Sequence, residues 1–226
     1  MVWLLGHHWV CLGQEGVSYL DQDFRSRRVE FYLLGQYWHA EDAIAHNVTV
    51  DLAPGGPKAT GDLKFHADDA GFWGFGVAYN INRHLNVNGE FTFGYPDYTL
   101  SFRNSRLSGE SFMHGGKFNV EYNVLPGRVT PFLSGGLGYL FVDSGVPSGP
   151  TDYYCWWDEW WGQTCVGDTP TYSQTYFTLN AAAGIRWDVN EHFFLKAYAG
   201  ANWVGLNNSA DWLSTIQGTM AVGWKF

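Results

Sequence analysis

The chain has 226 residues, a formal charge of -9 and a mean hydropathy of -0.21, a length that suits one sizeable domain rather than two. The acidic balance excludes nucleic acid as a partner, since phosphates demand Lys and Arg. Although 46% of the residues are hydrophobic, no run approaches the roughly 20 apolar residues a membrane helix needs, so any insertion into a bilayer must use strands.

The first stretch, residues 1–27, reads as a leader or loosely ordered segment ahead of a barrel domain expected over 28–226. It begins MVWLLGHHWVCLG, apolar but without a basic n-region or a small-residue cleavage site. His8, Trp9 and Val10 do not make a lipoprotein site before Cys11. From Arg28 to Trp38 a first strand alternates, with Val29, Phe31 and Leu33 on one side and Glu30, Tyr32 and Gln36 on the other. Residues 39–70 are polar, carry Pro54, Gly55, Gly56 and Pro57 at their centre, and read as a loop.

Strand two, Gly71 to Ile81, sets Trp73, Phe75, Val77 and Tyr79 against Gly74, Gly76, Ala78 and Asn80, then turns at Asn82 and Arg83. Strand three, His84 to Gly94, sets Leu85, Val87, Phe91 and Phe93 against Asn86, Asn88, Glu90 and Thr92. A medium loop over 95–109 leads to strand four, where Phe118, Val120, Tyr122 and Val124 alternate with Lys117, Asn119, Glu121 and Asn123. Leu125, Pro126 and Gly127 form a tight turn, and strand five returns with Val129, Leu133, Leu137, Tyr139 and Phe141 on one face. Another long loop spans 143–172.

Strand six places Phe177, Leu179, Ile185 and Trp187 opposite Tyr176, Thr178, Asn180 and Arg186, and a short turn at Asn190 and Glu191 reverses it. Strand seven alternates Phe193, Leu195 and Trp203 with Lys196, Tyr198 and Asn202. A loop through Asn207, Asn208 and Asp211 leads to strand eight, where Ile216, Met220, Val222, Trp224 and Phe226 oppose Gln217, Thr219 and Lys225. These strands are long enough to cross a bilayer when tilted, and the connections alternate long and short. The expectation is an all-β fold: an eight-stranded antiparallel up-and-down transmembrane β-barrel with both termini on the periplasmic side. Twelve Trp, thirteen Tyr and sixteen Phe suit aromatic girdles at its two interfaces.

The segment Val129 to Tyr139, VTPFLSGGLGY, and the terminal Trp224-Lys225-Phe226 resemble the small eight-stranded outer-membrane barrels that include the OmpA-type and OmpW-type proteins. The resemblance covers about residues 28 to 226 and implies an integral bacterial outer-membrane protein in contact with membrane lipid and lipopolysaccharide. It also implies that Trp224 and Phe226 act as a signal to the outer-membrane assembly machinery, although Ala221 stands where that signal often has Gly. It says little about function, because the fold hosts adhesins, channels, enzymes and structural members.

If the apolar faces meet lipid, Glu30, Glu90, Lys117, Glu121, Arg186, Lys196 and Lys225 point into the barrel. Eight strands leave just enough room for side chains, so these charges must pair, either as a permanent polar plug or as a gate that swaps partners. In the loop after strand five, Cys155 and Cys165 are spaced to close a disulfide in an oxidising compartment, leaving Cys11 over. Such a bridge stabilises by about 2–3 kcal/mol. It would fix Tyr153, Tyr154, Trp156, Trp157, Trp160 and Trp161 in one shape, either packed on the rim and in headgroups or presented as an anchor for a protein, a second copy or a glycan.

The long loops hold eleven acids against Lys58 and Lys64. No EF-hand spacing appears among them, and His39, His46 and His66 do not have zinc-site spacing, so no metal or cofactor is expected. Ser111 and His114 approach the rim without a catalytic signature, and no enzyme is expected. The expected role is non-catalytic and structural or interactive at the surface; the alternative is a narrow channel for small or hydrophobic solutes.

Overall fold

The computed structural model describes residues 25–40, 42–51, 58–205 and 212–226. The expected leader up to residue 24, with Cys11, lies outside the described residues, as do Pro54 to Pro57 and the loop through Asn207, Asn208 and Asp211. In chain order the strands are β1 (Val29–Ala40), β2 (Ala43–Asp51), β3 (Lys58–Ala67), β4 (Ala70–Asn80), β5 (Leu85–Gly94), β6 (Asp97–Phe102) and β7 (Ser105–Glu110). They continue with β8 (Phe112–Asn123), β9 (Val129–Pro147), β10 (Asp152–Asp158), β11 (Gly162–Asp168), β12 (Thr171–Asp188), β13 (Phe193–Gly205) and β14 (Trp212–Lys225).

Eight of these close into an antiparallel barrel in the order β1-β14-β13-β12-β9-β8-β5-β4. Closure is made by β1 against β14, in register from Glu30 opposite Lys225 to Ala40 opposite Thr215. A closed ladder leaves no edge whose N–H and C=O groups would meet hydrocarbon unpaired. The three short turns, between β4 and β5, β8 and β9, and β12 and β13, lie at one end together with both ends of the barrel chain, where the Phe226 N–H donates to the Val29 carbonyl at 2.9 Å.

The period-two faces expected from the sequence are the faces the barrel uses. Val29, Phe31, Leu33, Trp73, Phe75, Val77, Phe118, Val120, Leu133, Leu137, Ile185 and Leu195 stand exposed on the outside, an apolar wall that only a bilayer covers. The inward set is buried, and it is polar or charged over most of its height.

The three segments read as loops are instead largely strand. Residues 39–70 hold the end of β1, β2 and β3; residues 95–109 hold β6 and most of β7; residues 143–172 hold the end of β9, then β10, β11 and the start of β12. β2, β3, β6 and β7 form one four-stranded sheet, and β10 and β11 a separate hairpin, all at the end opposite the short turns. β7 escaped the pattern because it buries no continuous apolar face, with Ser105, Arg106, Leu107 and Ser108 exposed on both its sides, and β6 because it buries only Tyr98 and Phe102 fully. Backbone pairing shapes these strands more than a shared apolar face does.

Inside the barrel glycines make room for rings. A Cβ at Gly76 would overlap the Tyr32 ring and one at Gly223 the Phe194 ring, whereas a Cβ at Gly35, on the outer face, meets nothing within 4 Å. Gly76→Val is therefore expected to lower stability by about 1–3 kcal/mol through overpacking, and Gly35→Ala to be tolerated. Urea unfolding midpoints of the two variants refolded into the same detergent check this.

Candidate functional site

The inward side chains stack in layers. At the short-turn end Arg186, contributed by β12, forks onto Glu30 of β1, with Nη1 to Oε2 at 2.9 Å and Nη2 to Oε1 at 2.5 Å. It also donates to Asp188 Oδ1 at 2.8 Å, and Lys225 Nζ reaches the same oxygen at 2.8 Å. Arg25, from the stretch read as leader, completes the cluster: its Nε donates to Asp188 Oδ2 at 2.5 Å and its terminal nitrogens reach the carbonyls of Leu125 and Gly127. All five charged groups are buried. Two carboxylates among three cations in fork geometry repay the loss of water that an isolated charge would not survive.

Next along the axis come rings and charges together. The Arg186 guanidinium lies 4.4 Å from the Phe194 ring centre, and Lys196 Nζ sits between 5.3 and 5.6 Å from the rings of Tyr32, Phe132 and Phe194. Lys196 pairs with Glu121 Oε2 at 2.8 Å. Among the described residues no cation lies within ion-pair distance of Glu90; instead the Tyr32 and Tyr198 hydroxyls donate to its Oε1 at 3.0 and 2.9 Å. Lys117 donates to Gln217 Oε1 at 2.8 Å, an oxygen also reached by Gln36 and by Asn202. The space left between Glu90, Lys117, Asn119, Glu121 and Tyr198 is about 10 Å³, the room of a single water.

Toward the long-loop end the interior turns apolar. Trp38, Phe72, Met113, Leu140 and Val204 form a buried cluster, with Trp38 stacked on Phe72 at 4.4 Å. Above it a cavity of about 50 Å³ is walled by these residues together with Phe65, Ala67 and Pro96.

Seven sequence-predicted lumen charges are thus all inward, but they form separate groups rather than one network: Glu30, Arg186 and Lys225 in the end cluster, Glu121 with Lys196, and Glu90 and Lys117 on polar neighbours. Arg25, Asp188 and the apolar layer were missed. Asp188 follows Arg186 at the strand period and Trp38 follows Gln36, so the parity that exposed their neighbours also pointed to them.

Cys155 and Cys165 are bonded, as expected, at directly opposed positions of β10 and β11. Asp158 Oδ1 accepts the N–H groups of Trp160 and Trp161 at 2.8 and 3.0 Å, closing a tight turn before Gly162, whose positive φ of 73° suits only glycine without strain. The turn holds the rings out rather than down on the barrel: Trp157, Trp160 and Trp161 are 77%, 89% and 84% exposed, and Tyr153 is 73% exposed. From Asp143 to Tyr172 this arm carries five acids and no Lys, Arg or His.

The loop histidines do not gather; each has its own acid. His39 meets Asp69 at 2.6 Å, His46 meets Asp62 at 3.2 Å, and His66 lies between Asp42 and Asp68. Hydrogen bonding to Asp42 raises the His66 pKa, and hydrogen bonds from Tyr37 and His39 lower that of Asp69. Ser111, between β7 and β8, and His114 of β8 are directed apart: the buried Ser111 hydroxyl donates to the Pro96 carbonyl at 3.0 Å, while His114 stacks on Phe141 at 4.7 Å. They form no nucleophile and base pair.

Over residues 34–226 the sequence matches the family profile described as outer membrane protein beta-barrel domain. No curated protein sequence matches this one significantly. Among solved structures it is similar to outer membrane protein OprG from Pseudomonas aeruginosa, at 13% identity and a TM-score of 0.54, covering 91% of this chain and 99% of that one. It is also similar to Neisserial surface protein A, at 15% identity and a TM-score of 0.53, covering 87% and 97%. At these identities the likeness is one of fold.

Arg186→Met strands Glu30 in a dry interior and is expected to cost about 3–5 kcal/mol, a loss partly recovered when Glu30→Gln is added; urea unfolding of both variants in lipid measures it. The β2-β3-β6-β7 sheet should respond to pH in the sense set by His66. Because its folded pKa is raised, its contribution is fully present below the unfolded value of about 6.5 and is lost as pH rises through the raised folded value. Asp69 acts oppositely, its contribution present above the unfolded carboxylate value and lost as pH falls through its lowered folded value. Protease nicking across β2 and β3 should therefore be slowest between those limits, and His66→Gln should remove the alkaline-side change.

Proposed function

This chain belongs to the outer membrane protein beta-barrel family, and from that premise we propose that it is a non-catalytic surface-interaction protein whose barrel serves as an anchor. In this reading the short-turn end and both termini face the periplasm, and the β2-β3-β6-β7 sheet and the β10-β11 hairpin face outward. Trp224 and Phe226, at the end of β14, serve the assembly machinery, and the apolar wall contacts outer-membrane lipid and lipopolysaccharide. The observation that carries the reading is the exposure of Trp157, Trp160 and Trp161 on a disulfide-tied hairpin. Three large rings held in water gain nothing for the barrel, whereas Trp and Tyr dominate the energetics of protein contacts once covered. The bridge removes freedom the hairpin would otherwise lose on binding.

The filled interior supports the same division of labour, since every layer below the apolar cluster is occupied by paired or hydrogen-bonded side chains. A second reading, passage of small or hydrophobic solutes, is favoured by one feature: the apolar cavity of about 50 Å³ at the mouth, lined by Trp38, Phe72, Met113 and Leu140. It would require the Lys117, Gln217 and Gln36 contacts beneath that cavity to part.

Protein extracted from outer membranes in mild detergent is expected to run as an oligomer or with a co-purifying partner, and to become monomeric with reductant or with Trp157, Trp160 and Trp161 all changed to Ser. Monomers throughout, together with conductance steps in planar bilayers that change in Glu121→Gln or Arg186→Met, would transfer the assignment to the solute reading.

A further inference from the structure

The outer end of the molecule divides its charge. Of the thirteen Lys and Arg, five line the barrel and four stand at the short-turn end, which leaves Lys58, Lys64, Arg103 and Arg106 for the outer structure. All four lie on one sheet, at β3 and at the β6-β7 hairpin. Lys64, Ser101 and Arg106 occupy opposed positions across β3, β6 and β7 and so share a face. With Arg103, Asn104, Ser105 and Asp62 they line a depression of about 550 Å³.

Among the described residues Arg103 and Arg106 have no carboxylate within ion-pair distance, and both are exposed. Arg103 donates to the Thr60 carbonyl at 2.6 Å and lies over the Phe102 ring at 5.7 Å, which holds the guanidinium in place while leaving its charge uncompensated. Asp62, the acid of the depression, is occupied by His46. The β10-β11 hairpin is the reverse in sign: Asp152, Asp158, Glu159 and Asp168 with no base, and four Trp that accept cations on their faces.

Resting on the surface-interaction reading, we propose that the partner is a second copy of this chain, with the acidic Trp hairpin of each molecule seated in the Lys64, Arg103 and Arg106 depression of the other. The complementarity is self-contained: the acids Asp158 and Glu159 meet guanidiniums that have no acid of their own, and the indoles beside them cover those guanidiniums by cation–π contact. Two copies standing side by side in one membrane can make this exchange twice about a two-fold axis normal to the bilayer, the commonest closed arrangement for identical chains. The disulfide keeps Asp158, Glu159 and the indoles in one geometry, so both contacts form without ordering a loose loop.

The test uses the full chain in detergent micelles and in lipid nanodiscs, with sedimentation equilibrium as readout. Two variants reverse one side each: R103E with R106E on the sheet, and D158N with E159K on the hairpin, where the amide oxygen still accepts the Trp160 and Trp161 N–H groups. Each alone sets like charges against each other at both contacts and is expected to weaken dimerisation by at least about tenfold. An equimolar mixture of the two restores opposite charges at both contacts and is expected to dimerise within about threefold of the unchanged protein, an association that raised salt weakens. The proposal is overturned if either variant dimerises like the unchanged protein, or if the mixture stays monomeric while both variants keep the unfolding midpoint of the folded barrel. It is also overturned if the sheet reversal lowers binding to anionic phospholipid vesicles and leaves self-association intact. An unchanged protein that is monomeric yet retains a different co-purifying protein through its hairpin likewise overturns it, and leaves the surface-interaction reading standing.

Discussion

The pairing of β1 with β14 is the constraint on which the rest of the molecule depends. In hydrocarbon an unpaired peptide group has no water to turn to, so a sheet can cross a bilayer only if its first strand finds its last. Closure then dictates both faces. Outside, every second residue must be apolar; inside, the eight strands enclose only enough space for side chains, so whatever points inward is buried whether or not it is charged.

The interior is accordingly solved as a series of local neutralisations rather than as a hydrophobic core. Arg186 does most of this at the short-turn end, because its planar fork satisfies Glu30 bidentately and still reaches Asp188. Glu90 shows a different solution, two tyrosine hydroxyls in place of a cation. The rings of Tyr32, Phe132 and Phe194 fill the gaps and lie within cation–π range of Lys196, so packing and electrostatics use the same atoms. Toward the mouth the need for polarity ends, and Trp38, Phe72 and Met113 close the column with an apolar layer.

Outside the hydrocarbon the rules relax, and the chain uses other means. Backbone ladders shape the β2-β3-β6-β7 sheet, the His46–Asp62 and His66–Asp42 pairs trim it, and a covalent bridge holds the β10-β11 hairpin, which has no core of its own. A two-stranded hairpin alone is marginal in water, which is why the bridge sits at a directly opposed pair. The barrel and the strands beyond it are thus held together by different means.

The barrel strands were legible in the sequence because the bilayer forces period-two alternation on each of them: Val29, Phe31 and Leu33 against Glu30 and Tyr32 declare β1 with no tertiary information. The disulfide was legible from spacing, and the inward charges from strand parity. The strands β2, β3, β6, β7, β10 and β11 were not: β7, β10 and β11 are exposed along nearly all their length, and β3 and β6 bury only isolated residues such as Ala59, Ala67, Tyr98 and Phe102, too few to set a period. Nor did parity reveal which charges meet: Arg186 and Glu30 are 156 positions apart, and Arg25 with Asp188 are 163 apart. Alternation tells a residue which side of the wall it occupies; only the closed barrel, by setting strand against strand in one register, decides which residues share a height on that side and therefore which charge neutralises which.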